Sequence, residues 1–242
     1  MITVLMITAI GVQTCLIETP TARARAVRSK GTSGQPLIRS FAQTQDSRTI
    51  TERSQLLVDE IKAAAYPELS GADVRVKLFE SESDYFRARF AFRQFFTSRR
   101  MRYIVFVNAN VFARQAPESG LRAILAHELA HVLYFNRRHR LRLFGLVRLT
   151  SKGFTARFER WADLQAIARG YAEGLKEYRR WLYRNIPAKS LKEKQRDYFS
   201  PEEIDAIISA TQKRPELLAY WLKHVPLNLK EIFAESSGAM KR

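Results

Sequence analysis

Cysteine is almost missing from this chain: among 242 residues only Cys15 carries a thiol. No intrachain disulfide can form, and a structural zinc site built on thiolates is excluded, so any bound metal must be held by histidine and carboxylate. Histidine is scarce as well, with four in the chain. Acid is in short supply: 24 Asp and Glu stand against 41 Lys and Arg, a formal charge of +17. Such an excess attracts anionic partners over long range, whether a membrane surface, a cell-envelope polymer or nucleic acid, and equally describes a surface that is merely solubilising. No zinc finger or other dedicated reader is evident, which disfavours nucleic acid. Long apolar runs are limited to one at the N-terminus, which argues against a multi-spanning membrane protein.

That run, Met1 to Ile17, is uncharged and too short to span a bilayer comfortably, but matches the length of a signal-peptide apolar region. Ala22-Arg23-Ala24 follows as a small-x-small cleavage pattern, so residues 1–24 are expected to be an export signal, although no Lys or Arg precedes the run. Val12-Gln13-Thr14-Cys15 also loosely resembles a lipobox, with Cys15 lipidated, as the alternative. Either reading places the protein in the periplasm or attached to the envelope; a cytoplasmic location is the lesser reading. Residues 25–53 are rich in Ser, Thr, Gln and Arg, with Leu37, Ile38 and Phe41 as their few bulky apolar side chains. They are expected to form a flexible linker, because they bury too little to offset their ordering entropy. Residues 54–242 would then be one folded domain.

Within that domain Leu56, Leu57, Ile61 and Ala64 recur at helical spacing up to Pro67. Val74 to Phe79 alternates as a half-buried strand, and Tyr103 to Val107 is a second β-prone run that ends in the turn residues Asn108-Ala109-Asn110. Between them Ser81 is expected to cap a helix through Tyr85, Phe92 and Phe96. Helical patterns follow at Glu118–Phe135, Thr155–Gly170, Tyr171–Asn185 and Pro201–Lys213, then in shorter pieces to Phe233. Ser200-Pro201-Glu202-Glu203 reads as a capped helix start. A small sheet upstream of a helical lower half defines an α+β fold.

The chemistry concentrates in Ala123-Ile-Leu-Ala-His-Glu-Leu-Ala-His-Val-Leu-Tyr-Phe135. On a helix, residues i and i+4 differ by about 40° of rotation and about 6 Å of rise, so His127 and His131 share a face and are able to grip one ion. Glu128 lies about 100° around from His127, near enough to reach a metal-bound water without ligating the metal. The plain alternative is a pair of core histidines bonded to backbone. A catalytic zinc needs a third protein ligand and an open position. Phe158-Glu-Arg-Trp-Ala-Asp163 supplies a carboxylate: Glu159 would complete the coordination, and Asp163, one turn on, would accept the outer N–H of a ligating histidine. Alone, this pair would read as an exposed acidic stripe partnered by Arg157 and Arg160.

His127-Glu128-x-x-His131 followed by Glu159-x-x-Ala162-Asp163 resembles the gluzincin arrangement of zinc metallopeptidases, over about forty residues of the chain. The resemblance implies a zincin-like domain with Zn²⁺ on His127, His131 and Glu159, Glu128 as general base, and Asp163 behind a ligand. It also implies an edge strand upstream of the first metal helix, along which a peptide lies extended, and Tyr103–Val107 resembles that strand. For the family's oxyanion-steadying His or Tyr, the candidates are His139, Tyr171 and His224. The expected activity is peptide-bond hydrolysis, as an endopeptidase. The rival is a cationic envelope-binding protein whose zinc is structural or idle.

Two basic segments remain. Arg137 to Lys152 holds six cationic side chains and no acid, interleaved with Leu, Phe and Val. It reads as a loop facing an anionic membrane, as a loop selecting acidic substrates, or as a plain connection between helices. Tyr178-Arg-Arg-Trp-Leu-Tyr-Arg184 reads as a helix with a packed aromatic face.

Overall fold

The computed structural model describes residues 35–90, 102–137 and 152–238. The expected export signal, Cys15, His139 and nearly all of the basic segment 137–152 lie outside the described residues. The first helix, α1, runs Gln35–Ala65 and so begins well before Ser54. After Pro36 the chain meets no Gly or Pro until Pro67, so nothing in the sequence breaks the helix. Its last turns bury Leu57, Val58 and Ile61.

Three strands follow: β1 (Asp73–Phe79), β2 (Phe86–Phe90) and β3 (Arg102–Asn108), in the order β1-β3-β2. β1 lies parallel to β3 and β2 antiparallel to it, a small mixed sheet. Val74 and Val76 of β1 and Tyr103, Val105 and Val107 of β3 are buried on one face, as period-two alternation requires. Two expectations are corrected here. Phe86-Arg-Ala-Arg-Phe90 alternates and forms a strand rather than a helix, while Ser81 Oγ accepts the amides of Ser83 and Asp84 in a turn. Phe92 and Phe96 lie outside the described residues. Tyr103–Val107 is a strand, but the central one; the edge strands are β1 and β2. The outer edge of β1 is covered by Gln55, whose side chain donates to Val74 O (3.2 Å) and accepts from Val76 N (2.9 Å).

The remaining elements are helical: α2 (Asn110–Ala113), α3 (Glu118–Asn136), α4 (Lys152–Ile167), α5 (Ala172–Asn185), α6 (Ala188–Asp197), α7 (Pro201–Lys213), α8 (Glu216–Trp221) and α9 (Leu229–Ser236). The fold is thus α+β, with helix predominating. α3 is buried along most of its length and touches β2, α1, α4 and α5. Each of its fully buried leucines, such as Leu129 and Leu133, contributes about 2–3 kcal/mol of burial free energy. The approach of α5 is so close that a Cβ on Gly174 would stand 2.3 Å from Ser119 O. The capping box at Ser200 is present: Ser200 N donates to Glu203 Oε2 (2.8 Å) and Glu203 N to Ser200 Oγ (3.2 Å). No helix among the described residues is long and apolar enough to cross a membrane.

Candidate metal centre

The apolar pattern that buries α3 also buries its polar residues. His127, Glu128 and His131 are all buried, set between Leu125, Leu129 and Val132. Ala162 of α4 is wholly buried, and its small side chain leaves room for α4 to bring Glu159 and Asp163 against α3. The alternative reading of this pair as an exposed acidic stripe does not hold: Glu159 is 4% and Asp163 0% exposed. Arg160 turns away from them to pair with Glu203 of α7 at 2.8 Å.

Three ligand atoms converge. His127 Nε2 and His131 Nε2 are 3.1 Å apart, and Glu159 Oε2 lies 3.2 Å from the first and 3.1 Å from the second. A tetrahedral ion with ligands at about 2.0–2.1 Å sets its ligand atoms about 3.3–3.4 Å apart, so the triangle has nearly the size of one face of such a site. The donor set fits as well. His127 Nδ1 is 2.7 Å from Asp163 Oδ1, and donating there leaves Nε2 with a lone pair directed at the other two atoms. Two imidazole nitrogens and a carboxylate oxygen facing one another could hold a cation. The histidine rings are fixed from behind, His127 by Asp163 and His131 by stacking on Phe158 at 4.5 Å.

Electrostatics follow from burial and charge. Burial alone would lift the Glu159 carboxyl, but His131 and His127 outweigh it and hold Glu159 well below its ordinary range. Asp163 is likewise lowered against its burial, by Arg179 and then His127. Glu128 behaves oppositely. Burial raises it, the neighbouring histidines offset this only in part, and its Oε2 is buried without a hydrogen-bond partner among the described residues.

Glu128 also meets the sheet through the backbone N–H of Ala88 on β2. Asn108 N donates to Tyr85 O, and this fixes the ladder: Arg87 and Arg89 exchange bonds with β3, while the N–H and C=O of Phe86, Ala88 and Phe90 turn outward. The outward edge of β2 thus borders Glu128.

Sequence reasoning missed Arg179 and Tyr198. Arg179 Nη2 donates to Asp163 Oδ1 at 2.8 Å, with both side chains fully buried. Helical spacing could have found it, since Arg179 lies four residues after Leu175 and three before Leu182, on the face that packs inward. Tyr178 and Trp181 of the same helix are buried as expected. The amide of Phe199 donates to Asp163 Oδ2 (3.1 Å), and this sets the Tyr198 ring 5.8 Å from the His127 ring and 4.4 Å from the Arg179 guanidinium. The Tyr198 phenol is raised well above its usual value, by burial and then by Glu159. No local motif marks Tyr198. Of the expected oxyanion candidates, Tyr171 sits at the start of α5 and His224 stacks on Tyr220; neither joins the cluster.

No family model, curated protein or solved structure matches this chain.

Proposed function

We propose that the protein is a zinc-dependent peptidase of gluzincin type, acting on an extended peptide laid along β2. One observation carries the reading: a buried His127–His131–Glu159 triangle adjoins a carboxylate, that of Glu128, which has an oxygen left without a partner among the described residues, beside the edge of β2 that faces away from β3. A structural zinc is closed by four protein ligands. Here the described residues offer three, His127, His131 and Glu159, and Glu128 is not among them.

His127, His131 and Glu159 would hold the ion. Zinc bound there supplies Lewis acidity and lowers the pKa of a coordinated water. Asp163 orients His127 and stabilises positive charge on its ring. The outward N–H and C=O groups of Phe86 and Phe90 and the C=O of Ala88 would pair with substrate backbone as an added strand, which aligns the scissile bond with α3. Glu128, whose carboxyl burial raises above its ordinary value, takes the proton of the attacking water at its unpartnered oxygen and delivers it to the leaving amine. Tyr198 supplies a phenol that stays protonated and donates to the developing oxyanion.

Metal analysis paired with a broad peptide-library digest tests the proposal. The wild-type chain is expected to hold one zinc and cleave peptides, while Glu128→Gln holds the same zinc and loses about 10²–10⁴-fold in rate. Zinc without cleavage by the wild type would favour the envelope-binding rival. Glu159→Ala is expected to lose metal; full occupancy in that variant would put the third ligand elsewhere.

A further inference from the structure

The sheet has a second face, turned away from α3, and its composition is unusual. The register places Arg75, Ile104 and Arg89 in one row across the three strands, and Lys77, Phe106 and Arg87 in the next. Arg102 extends the face at the start of β3 and Phe79 at the end of β1. Of the outward-facing strand residues Asp73 is the one acid, and it is neutralised by Arg75 and Arg102, each at 2.7 Å. Arg87 pairs with Asp84. Lys77 and Arg89 are exposed, and neither has an ion-pair partner among the described residues. Arg89 is held below its ordinary value by lost hydration and then by the Arg87 guanidinium beside it, like-charge crowding that an anion would relieve. Phe79, Ile104 and Phe106 are half-buried yet belong to neither core cluster, so they fill the floor between the cations rather than the interior.

We propose that this outer sheet face, Arg75, Lys77, Arg87 and Arg89 around Ile104 and Phe106, docks on an anionic phospholipid surface. A half-solvated antiparallel or mixed sheet ordinarily carries interspersed polar and acidic residues on its wet side. Here, apart from the neutralised Asp73, the side chains are cationic or apolar, which suits headgroup phosphates above a less polar layer: guanidinium and ammonium groups bind phosphate while Phe and Ile meet the acyl boundary. Single-stranded nucleic acid shares the charge but needs an open aromatic face on which bases stack. That face is occupied, since Arg87 lies over the Phe79 ring at 4.9 Å and Phe106 meets Phe79 edge-on at 6.1 Å. Docked in this way, the sheet is flanked along β2 by the outward edge that borders Glu128, so peptide segments near the lipid surface would be presented to the site.

The test uses the full-length chain, with sedimentation against phosphatidylcholine vesicles with and without phosphatidylglycerol. The wild type is expected to bind the anionic vesicles, to be released by salt, and to leave neutral vesicles alone. Each cation at such a surface is worth roughly a fivefold change in partitioning, so Arg75→Ser/Lys77→Ser/Arg89→Ser together should lose on the order of a hundredfold. The charge reversal Lys77→Glu/Arg89→Glu should abolish binding, with the circular dichroism spectrum and unfolding midpoint of both variants showing that they fold. Unchanged vesicle binding in folded variants, equal binding to neutral vesicles through the apolar N-terminus, or release from anionic vesicles by a single-stranded oligonucleotide that binds more tightly would each overturn the proposal. Glu128→Gln, inactive under the peptidase reading, should bind vesicles like the wild type.

Discussion

Asp163 Oδ1 stands 2.7 Å from His127 Nδ1, and the same oxygen accepts a bond from Arg179 at 2.8 Å. A single carboxylate on α4 thus fixes the ring of a candidate metal ligand on α3 and is itself kept ionised by α5. Its second oxygen takes the Phe199 amide, so the turn that carries Tyr198 is tied to the same point.

Removing Arg179 should therefore harm both stability and metal binding. Asp163 would be left buried with its main counter-charge gone, a change that costs about 3–5 kcal/mol in buried pairs. Arg179→Met is expected to lower unfolding free energy by that order and to weaken zinc binding about 10–100-fold through the loosened His127 ring. Arg179→Lys keeps the charge and should recover part of each. Urea unfolding and competitive zinc titration measure the two effects; a loss under about 1 kcal/mol in Arg179→Met would show that Asp163 is satisfied without it.

Acid and base act on the cluster in opposite senses. In the metal-free chain burial pulls His127 down, but Asp163 and Glu159 outweigh it and push its pKa from 6.5 up to about 9. A raised pKa means that protonation stabilises the fold: the contribution is fully present below about pH 6.5 and is lost as pH rises through about 9. Glu159 is depressed, so its contribution is present above about pH 4.5 and lost as pH falls below that. Zinc must displace the His127 proton, so apparent zinc affinity should climb about tenfold per pH unit between about 6.5 and 9. Chelator competition across that window reads the slope. A flat affinity would mean that the metal-free ring carries no such proton.

The candidate metal ligands were legible because their spacing is local. Two histidines one turn apart, and two carboxylates one turn apart on the next long helix, announce shared faces without knowledge of the fold. What brings the faces together is not local, yet the apolar flanks of both segments already required burial. β2 was illegible for the converse reason: five alternating residues beside a Ser-capped, Phe-rich stretch give a helical pattern as much signal as a strand. Which strand becomes central depends on pairing between residues thirty apart, to which β-propensity is blind. The early start of α1 escaped because its first turns are rich in Ser, Thr, Gln and Arg, the composition of a linker, and Arg179 because its charge disguised a core position.

The α3–α5 contact gives a test of packing. A methyl on Gly174 would fall 2.3 Å from Ser119 O and 2.9 Å from Ser119 C, both backbone atoms that a rotamer change does not relieve. Gly174→Ala should destabilise the protein by about 1–3 kcal/mol or more, outweighing the gain in helix propensity. Gly71→Ala is the matched control, since a methyl there meets nothing within 4 Å, and it should be neutral or stabilising by about 0.4–1 kcal/mol. Equal unfolding midpoints for the two would contradict the close approach of the helices.

Tyr198→Phe separates packing from chemistry at the site. The ring is held by the Arg179 guanidinium at 4.4 Å, the Lys194 ammonium at 5.4 Å and the Phe199 amide bond to Asp163, none of which needs the hydroxyl. Phenylalanine should therefore keep the fold, the metal and the substrate edge. It lacks the one proton donor that the raised phenol retains at neutral pH, so kcat should fall about 10²–10³-fold with KM little changed, the signature of an interaction made in the transition state. A variant with normal kcat would reduce Tyr198 to a packing contact beside His127 and leave the oxyanion to the metal alone. A variant that instead raised KM at constant kcat would make the phenol a contact to bound peptide.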